Sequence, residues 1–199
     1  MSKIILLNGC GSSGKTSIAR SIQHLSEDLW ITFGVDSLID MMPRAKQDEY
    51  LKFIPRMNQY GPEMHVEVKP KGADLFCVMP DFANLLANKG HNLIIDEVLF
   101  EDSKLQHYAE KLRDHTTYFI GVFCDLAAMQ EREILRQNRH IGLSSNQFDR
   151  VHTGIRSNYD LKVDTTRASS FEVAKQILAY VSSKNPIALK KIWTSHPGI

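Results

Sequence analysis

Residues 9–16 read Gly9-Cys10-Gly11-Ser12-Ser13-Gly14-Lys15-Thr16, which satisfies G-x-x-x-x-G-K-[ST], and what flanks them decides the fold. Before them, residues 3–7 form a compact apolar run ended by Asn8 and Gly9, as suits a strand buried on both faces of a parallel sheet. After them, Ile18, Ala19, Ile22 and Leu25 fall at helical spacing. Strand, glycine loop and helix in that order open a βαβ unit. Glycines let several backbone N–H groups turn inward, and with the positive end of the following helix these make a nest for phosphate oxygens. Lys15 adds a point charge for terminal phosphates, and the Thr16 hydroxyl can ligate Mg²⁺. Gly9, Cys10, Gly11, Ser12, Ser13, Gly14, Lys15, Thr16 and Ser17 are therefore the expected contacts to a nucleotide.

The stretch Gly9 to Gly14 also satisfies G-x-G-x-x-G, and Asp36 follows at about the 20-residue distance a dinucleotide fold uses. Lys15-Thr16 separates the two readings, because a pyrophosphate at a dinucleotide turn needs neither a lysine nor a magnesium-binding hydroxyl there.

Further strands are expected over residues 30–35, 93–98, 118–124 and 159–163, the last at a sheet edge. Helical patterns occupy residues 73–88, 103–113, 126–135 and 171–181, and Pro80 should kink or split the first. Strands alternating with helices imply a parallel sheet covered on both faces. Residues 43–72 carry Pro55, Pro62 and Pro70 with weak periodicity and read as an irregular excursion that shapes a ligand site. Residues 183–199 suggest no task.

A chain of 199 residues, against a prior of roughly 150 per domain, points to one domain spanning 1–199, with an inserted lid. Lys+Arg 24 against Asp+Glu 23 leaves +1, which argues against a surface built to hold nucleic acid. Apolar runs of a few residues fall far short of the roughly 20 that cross a bilayer, and no export signal is recognisable, so a cytoplasmic chain with no membrane partner is expected. Cys10, Cys77 and Cys124 are odd in number and widely spaced, and they read as incidental thiols.

Asp96 ends the apolar run Leu93-Ile94-Ile95, as a Walker B acid does, and could hold Mg²⁺ directly or through water; Glu97 could share that role. Asp36 falls at the carboxyl end of the second strand, where ligands of open α/β sheets collect. It could accept the proton of a substrate hydroxyl, or it could cap a helix beginning near Ser37 or Leu38. Arg132, Arg136 and Arg139 would share one face of a helix, either as a lid over the triphosphate or as a solvated face paired with Glu131 and Glu133. The histidines show no metal-ligand spacing.

The residues as a set resemble the chloramphenicol phosphotransferase family of small P-loop kinases. The resemblance rests on the run Ile4 to Gly9 entering the loop, GVDSLIDMMP at residues 34–43, LIIDEVLF at 93–100, the stretch 132–142 and VDTT at 163–166. It implies a three-layer P-loop NTPase fold with a five-stranded parallel sheet of the nucleotide-kinase type and a helical lid over about residues 132–152. It also implies ATP with Mg²⁺ as the donor, a small hydroxylated acceptor, and Asp36 as the carboxylate facing that hydroxyl. Lys15, Arg136 and Arg139 would join Asp36 in catalysis, Arg132 and Arg136 would contact the nucleotide, and Thr16 and Asp96 would hold the metal. The chain departs from the family where R-G-D-R is replaced by Arg136-Gln137-Asn138-Arg139, and over residues 44–72, so chloramphenicol as acceptor carries over least. The alternatives are a kinase of a nucleoside, nucleotide or other metabolite, a GTP-dependent switch in which Asn146-Gln147-Phe148-Asp149 weakly imitates N-K-x-D, and a nucleotide-binding regulator without turnover. A homo-oligomer stays open.

Overall fold

The computed structural model describes residues 2–136 and 140–195. The chain begins with β1 (Lys3–Asn8), α1 (Lys15–Leu25), β2 (Trp30–Gly34) and α2 (Val35–Met41). There follow the paired strands β3 (Leu51–Asn58) and β4 (Gly61–Val68), then α3 (Pro70–Cys77), α4 (Met79–Asn88), β5 (Asn92–Glu97) and α5 (Asp102–Lys111). It continues with β6 (Thr116–Phe123), α6 (Leu126–Leu135), α7 (Leu143–Gln147), β7 (Leu161–Asp164), α8 (Ser170–Ser183) and α9 (Ala188–Ser195).

Five of the strands form a parallel sheet with the last, β7, at an edge, as expected, and their order is β2-β5-β1-β6-β7. Alternation along β1 shows how the layers are assigned. Ile4 and Leu6 pack with Met79, Ala83, Leu105 and Tyr108 on the side of α4, α5 and α9, while Ile5 and Leu7 pack with Ile18, Ile22, Val173 and Ile177 of α1 and α8. All four strand side chains are fully buried, and each contributes about 1.5–3 kcal/mol by leaving water. The central strand is thereby fixed in place, and the loop that follows it emerges at the carboxyl edge of the sheet.

The expected helix over residues 73–88 is two helices, and Pro80 lies in the first turn of α4, where its missing N–H is not needed. Residues 43–72 are not irregular. A 3₁₀ turn (Arg44–Glu49) leads into an antiparallel hairpin in which Leu51 faces Val68 and Pro55 faces Met64. In a two-stranded ribbon both strands are edges, so a proline can occupy a position whose N–H would be unpaired. The proline content therefore hid a strand pair that the alternation Met64, Val66, Val68 and the turn glycine Gly61, at φ 103°, do announce.

Residues 183–199 also have a task within the described part. α9 buries Ala188, Leu189 and Ile192 in the α5 side of the core, and its start is held by Asp160, whose carboxylate accepts from Ile187 N at 2.7 Å and Ala188 N at 2.9 Å.

Candidate active site

The phosphate loop is shaped by two residues with positive φ. Gly14 (φ 92°) caps α1, and Ser12 (φ 62°) turns the chain before it. Gly9 is required by close approach, since a Cβ there would meet the Val122 carbonyl oxygen at 2.5 Å. Lys15 folds back over the loop and donates to the carbonyls of Gly9 and Cys10, both at 2.9 Å, with Asp96 Oδ1 at 3.5 Å from its ammonium. Thr16 Oγ1 donates to Asp96 Oδ2 at 2.6 Å. A hydroxyl and a carboxylate oxygen thus converge beside the loop, a hard-oxygen pair of the kind Mg²⁺ takes when substrate phosphates and water complete its shell. Among the described residues no group of three or more His, Cys, Asp or Glu side chains could hold a metal ion without such help.

Alternation along β5 separates the two acids that the sequence left together. Asp96 faces α1 and the loop, whereas Glu97 is fully buried on the opposite side, accepting from Tyr108 Oη at 2.7 Å and pairing with Lys104 at 2.8 Å. Glu97 therefore ties β5 to α5 and points away from Thr16. Gly34 closes the same corner from β2, where it pairs with Asp96; a Cβ there would lie 2.3 Å from the Asp96 carbonyl oxygen. The helix that follows begins at Val35, earlier than expected, so Asp36 stands in its first turn and Gly34 is the N-cap.

One cleft of about 1020 Å³ brings most of the expected residues together. Gly11, Ser12, Gly14, Lys15, Thr16, Asp36, Asp96 and Arg136 all line it. Gly9, Cys10, Ser13, Ser17 and Arg132 are not part of its lining. Arg132 instead braces the loop from behind, donating through Nη2 to Thr165 O at 2.6 Å and through Nη1 to Ser12 O at 3.4 Å, while Thr165 Oγ1 donates to Ser13 O at 2.7 Å. Leu51, Phe53, Val66 and Val68 of the hairpin, with Ile39 and Phe76, line the same cleft, and so do the polar groups of Asp40, Glu101, Lys104 and His107.

The expected arginine face is corrected in two respects. α6 ends at Leu135, so Arg132 lies in its last turn and Arg136 is its C-cap in extended geometry rather than one turn further along a helix. Arg139 lies outside the described residues. Nor is Glu133 part of a solvated face: it is buried and accepts from Gly142 N at 2.8 Å and Ser144 N at 2.7 Å, holding the start of α7. At the other end of α7, Gln147 Oε1 accepts from Gly11 N of the phosphate loop. Asn58 Nδ2 donates to Ser145 O at 3.0 Å, and Tyr60 Oη donates to Asp149 at 2.8 Å. The stretch Asn146 to Asp149, which imitated a guanine-reading motif, is thus engaged in joining the loop to the hairpin.

Behind the loop, Asn8 Nδ2 donates to Tyr159 Oη at 2.8 Å, and that hydroxyl lies 2.6 Å from His152 Nδ1. The phenol accepts from Asn8, and the direction of its bond with the ring is set by the tautomer of the imidazole. Burial first, and then the Lys15 charge, bring His152 from its ordinary 6.5 down to about 4. Between those values the unfolded chain takes up a proton that the folded chain refuses, so this residue makes stability fall as pH falls from 6.5 to 4 and leaves it flat above 6.5. We expect His152→Gln to flatten part of the Tm loss over that window in thermal unfolding; an unchanged slope would assign the loss to other groups. Burial likewise raises the Cys10 thiol to about 11, so it stays protonated and is no nucleophile.

The fold and the loop together define a P-loop kinase architecture. The family model for chloramphenicol phosphotransferase-like proteins matches residues 2–182, and the chain belongs to that family. Among curated proteins it is similar to "Putative O-phosphotransferase MT2714" of Mycobacterium tuberculosis, at 26% identity over 206 residues, covering 96% of this chain and 87% of that protein. Solved structures of the same fold include the Mycobacterium tuberculosis APS kinase CysC in complex with AMPPNP and APS (TM-score 0.63, 14% identity, 92% of this chain and 98% of that one). They also include a gluconokinase from Sinorhizobium meliloti 1021 (TM-score 0.62, 14% identity, 98% of each chain). A third is the tunicamycin resistance protein of Deinococcus radiodurans (TM-score 0.60, 18% identity, 94% of this chain and 99% of that one). The chain is a phosphotransferase of the kinase class. Among the described residues no helix is long and apolar enough to cross a membrane.

Proposed function

We propose that this protein moves the γ-phosphate of ATP to a hydroxyl group of a small molecule with an apolar body, chloramphenicol or a compound like it, in the cytoplasm where ATP is abundant. The observation that carries this reading is the shared cleft, lined by Lys15, Thr16 and Asp96 in mutual contact, by Asp36, and by the apolar hairpin side chains Leu51, Phe53, Val66 and Val68. The main-chain amides of the loop and the Lys15 ammonium grip the polyphosphate tail, and Lys15 leaves the Gly9 and Cys10 carbonyls to do so. Thr16 and Asp96 would hold Mg²⁺, which when bound neutralises charge on the phosphates. Asp36 accepts the proton of the acceptor hydroxyl as its oxygen bonds to the γ-phosphorus and the bond to the β-phosphate oxygen breaks, leaving ADP. Arg136 borders the same space and would offset negative charge on the transferred group, while Arg132 keeps the loop in shape. Arg139 is assigned the same work as Arg136 from the family resemblance alone.

Residues 1–199 act in this reading as one kinase domain, with residues 43–72 as the acceptor wall. The lid assigned to residues 132–152 rests partly on residues 137–139, outside the described ones. A second reading, a kinase of a more polar metabolite such as a nucleoside, is favoured by Asp40, Glu101, Lys104 and His107 on the same lining. An ATP-consumption screen over chloramphenicol and other hydroxylated aromatic compounds, nucleosides and sugars decides between them. Turnover with an apolar-bodied alcohol supports the first reading, and would make the protein a resistance determinant if that alcohol is an antibiotic. Turnover confined to nucleosides or sugars replaces it with the second.

A further inference from the structure

α7 is only five residues long, yet it is held at both ends. At its start, the buried Glu133 carboxylate of α6 accepts from Gly142 N and Ser144 N, and the Gly142 carbonyl accepts from Met64 N of β4 at 2.9 Å. Glycine is required in this seat, because its φ is 96° and a Cβ would lie 2.8 Å from the Pro62 carbonyl oxygen of the hairpin. Asn58 of β3 adds the bond from Nδ2 to Ser145 O, and Gln130 Nε2 of α6 reaches Ser145 Oγ at 3.1 Å and Tyr60 O at 3.3 Å. Neither Asn58 nor Tyr60 is part of the lining of the catalytic cleft. At the far end of α7, the buried Gln147 accepts from Gly11 N through Oε1. Flipping the amide cannot reverse this bond, since a backbone N–H only donates and the –NH₂ end of glutamine does not accept.

We infer that Gln147 is a positioning residue that couples the hairpin to the phosphate loop, holding the Gly11 amide from the end of a helix seated on that hairpin. This rests on the kinase reading above and adds to it a mechanical link between the hairpin and the nucleotide site. A buried backbone N–H has to be paired, and Gln147 pairs this one without bringing a charge. A glutamate would set a negative group beside the polyphosphate. With Gly11 held before nucleotide arrives, less of the loop remains to be ordered in the binding step. Arg132 and Thr165 brace Ser12 and Ser13 through contacts that involve no hairpin residue. A shift of the hairpin, whose Leu51, Phe53, Val66 and Val68 line the cleft, therefore reaches the loop at Gly11 through α7. By linkage, nucleotide on the loop acts back on whatever the hairpin binds.

The experiment is calorimetric titration with a non-hydrolysable ATP analogue and Mg²⁺ on the wild type, Gln147→Met, Asn58→Ala and the double variant, with thermal unfolding in parallel. No acceptor need be known. Methionine keeps the reach of glutamine and offers only a weak sulfur acceptor. Gln147→Met should bind the analogue about three- to tenfold more weakly, the change one neutral hydrogen bond predicts. Asn58→Ala should lose about two- to fivefold, and the double variant should bind no more weakly than Gln147→Met, because the influence of the hairpin passes through the contact already removed. Lowered Tm with unchanged affinity would make these contacts structural only and overturns the inference. So does a gain in affinity in Gln147→Met, which would mean that the side chain competes with nucleotide for the Gly11 amide. Losses that multiply in the double variant overturn the coupling. If Gln147→Met does not fold, hydrogen exchange in nucleotide-free Asn58→Ala decides, with the central strands as internal reference: faster exchange across residues 10–13 supports the route through α7, and unchanged exchange overturns it. If the wild type binds no nucleotide, the kinase reading falls with it.

Discussion

Replacing Lys15 with methionine should lower kcat/KM for phosphoryl transfer by about a hundredfold to a thousandfold, the effect of removing one preorganised charge from a developing phosphoryl transition state. Methionine keeps most of the apolar stem, so the buried side chain is replaced without a large void. In the nucleotide-free protein Lys15 satisfies two loop carbonyls and faces Asp96 at 3.5 Å, so the substitution also leaves that carboxylate with Thr16 alone. Lys15 and Asp96 are only 5% and 19% exposed, so the loss is only partly screened and the melting temperature should fall along with the rate. The comparison to make is therefore transfer rate against Tm. A variant that stays folded and transfers phosphate at the wild-type rate would remove Lys15 from the reaction and the loop assignment with it. A variant that fails to fold would show that the contacts of Lys15 with the loop carbonyls and Asp96 are chiefly structural.

How far the sequence could be read follows the range of the physical signal. The strand, loop and helix around Lys15 were legible because both the apolar periodicity and the glycine spacing act within a few residues. So was Asp96, since a carboxylate at the end of a buried strand is a local exception to its surroundings. The hairpin was missed because three prolines outweighed a two-residue alternation, and because a ribbon that is edge on both sides tolerates what a central strand does not. Glu133 and Gln147 could not be read at all. Glu133 satisfies two backbone N–H groups at the start of the next helix and Gln147 one in the phosphate loop, so their importance exists only once α7 stands between α6, the hairpin and that loop. Glu97 lay between these cases. It was visible beside Asp96, and the alternation of a strand already implied that neighbours face opposite layers, yet only the placement of Tyr108 and Lys104 shows which acid turned toward the loop.

For Asp36→Asn the expected result is a fall in kcat of about a hundredfold to ten-thousandfold, the usual range for a positioned proton acceptor, with ATP affinity changed by less than about twofold. Asparagine has nearly the same shape and can still accept a hydrogen bond, so it isolates the loss of a site for the proton and of the charge that orients the hydroxyl. The separation between donor and acceptor binding follows from where the residue stands. Gly34 pairs with Asp96 at the end of β2, and Asp36 comes two residues later in the first turn of α2, on the same cleft lining as Ile39 and Phe76 rather than in the phosphate loop. Its negative charge near a helix N-terminus also contributes roughly 0.3–1 kcal/mol to stability, which asparagine gives up, so a Tm lower by a few degrees is expected and does not count against the assignment. Asp36→Glu tests position independently: it restores the carboxylate but displaces it by one methylene, and alignment matters more than base strength for a loose phosphoryl transfer, so it should remain well below the wild type. A drop in ATP affinity with kcat preserved would move Asp36 to the donor side of the cleft. Full activity in Asp36→Asn would leave the acceptor hydroxyl to be oriented by another group on that wall, for which Asp40, one turn further along α2 and on the same lining, is the next residue to change.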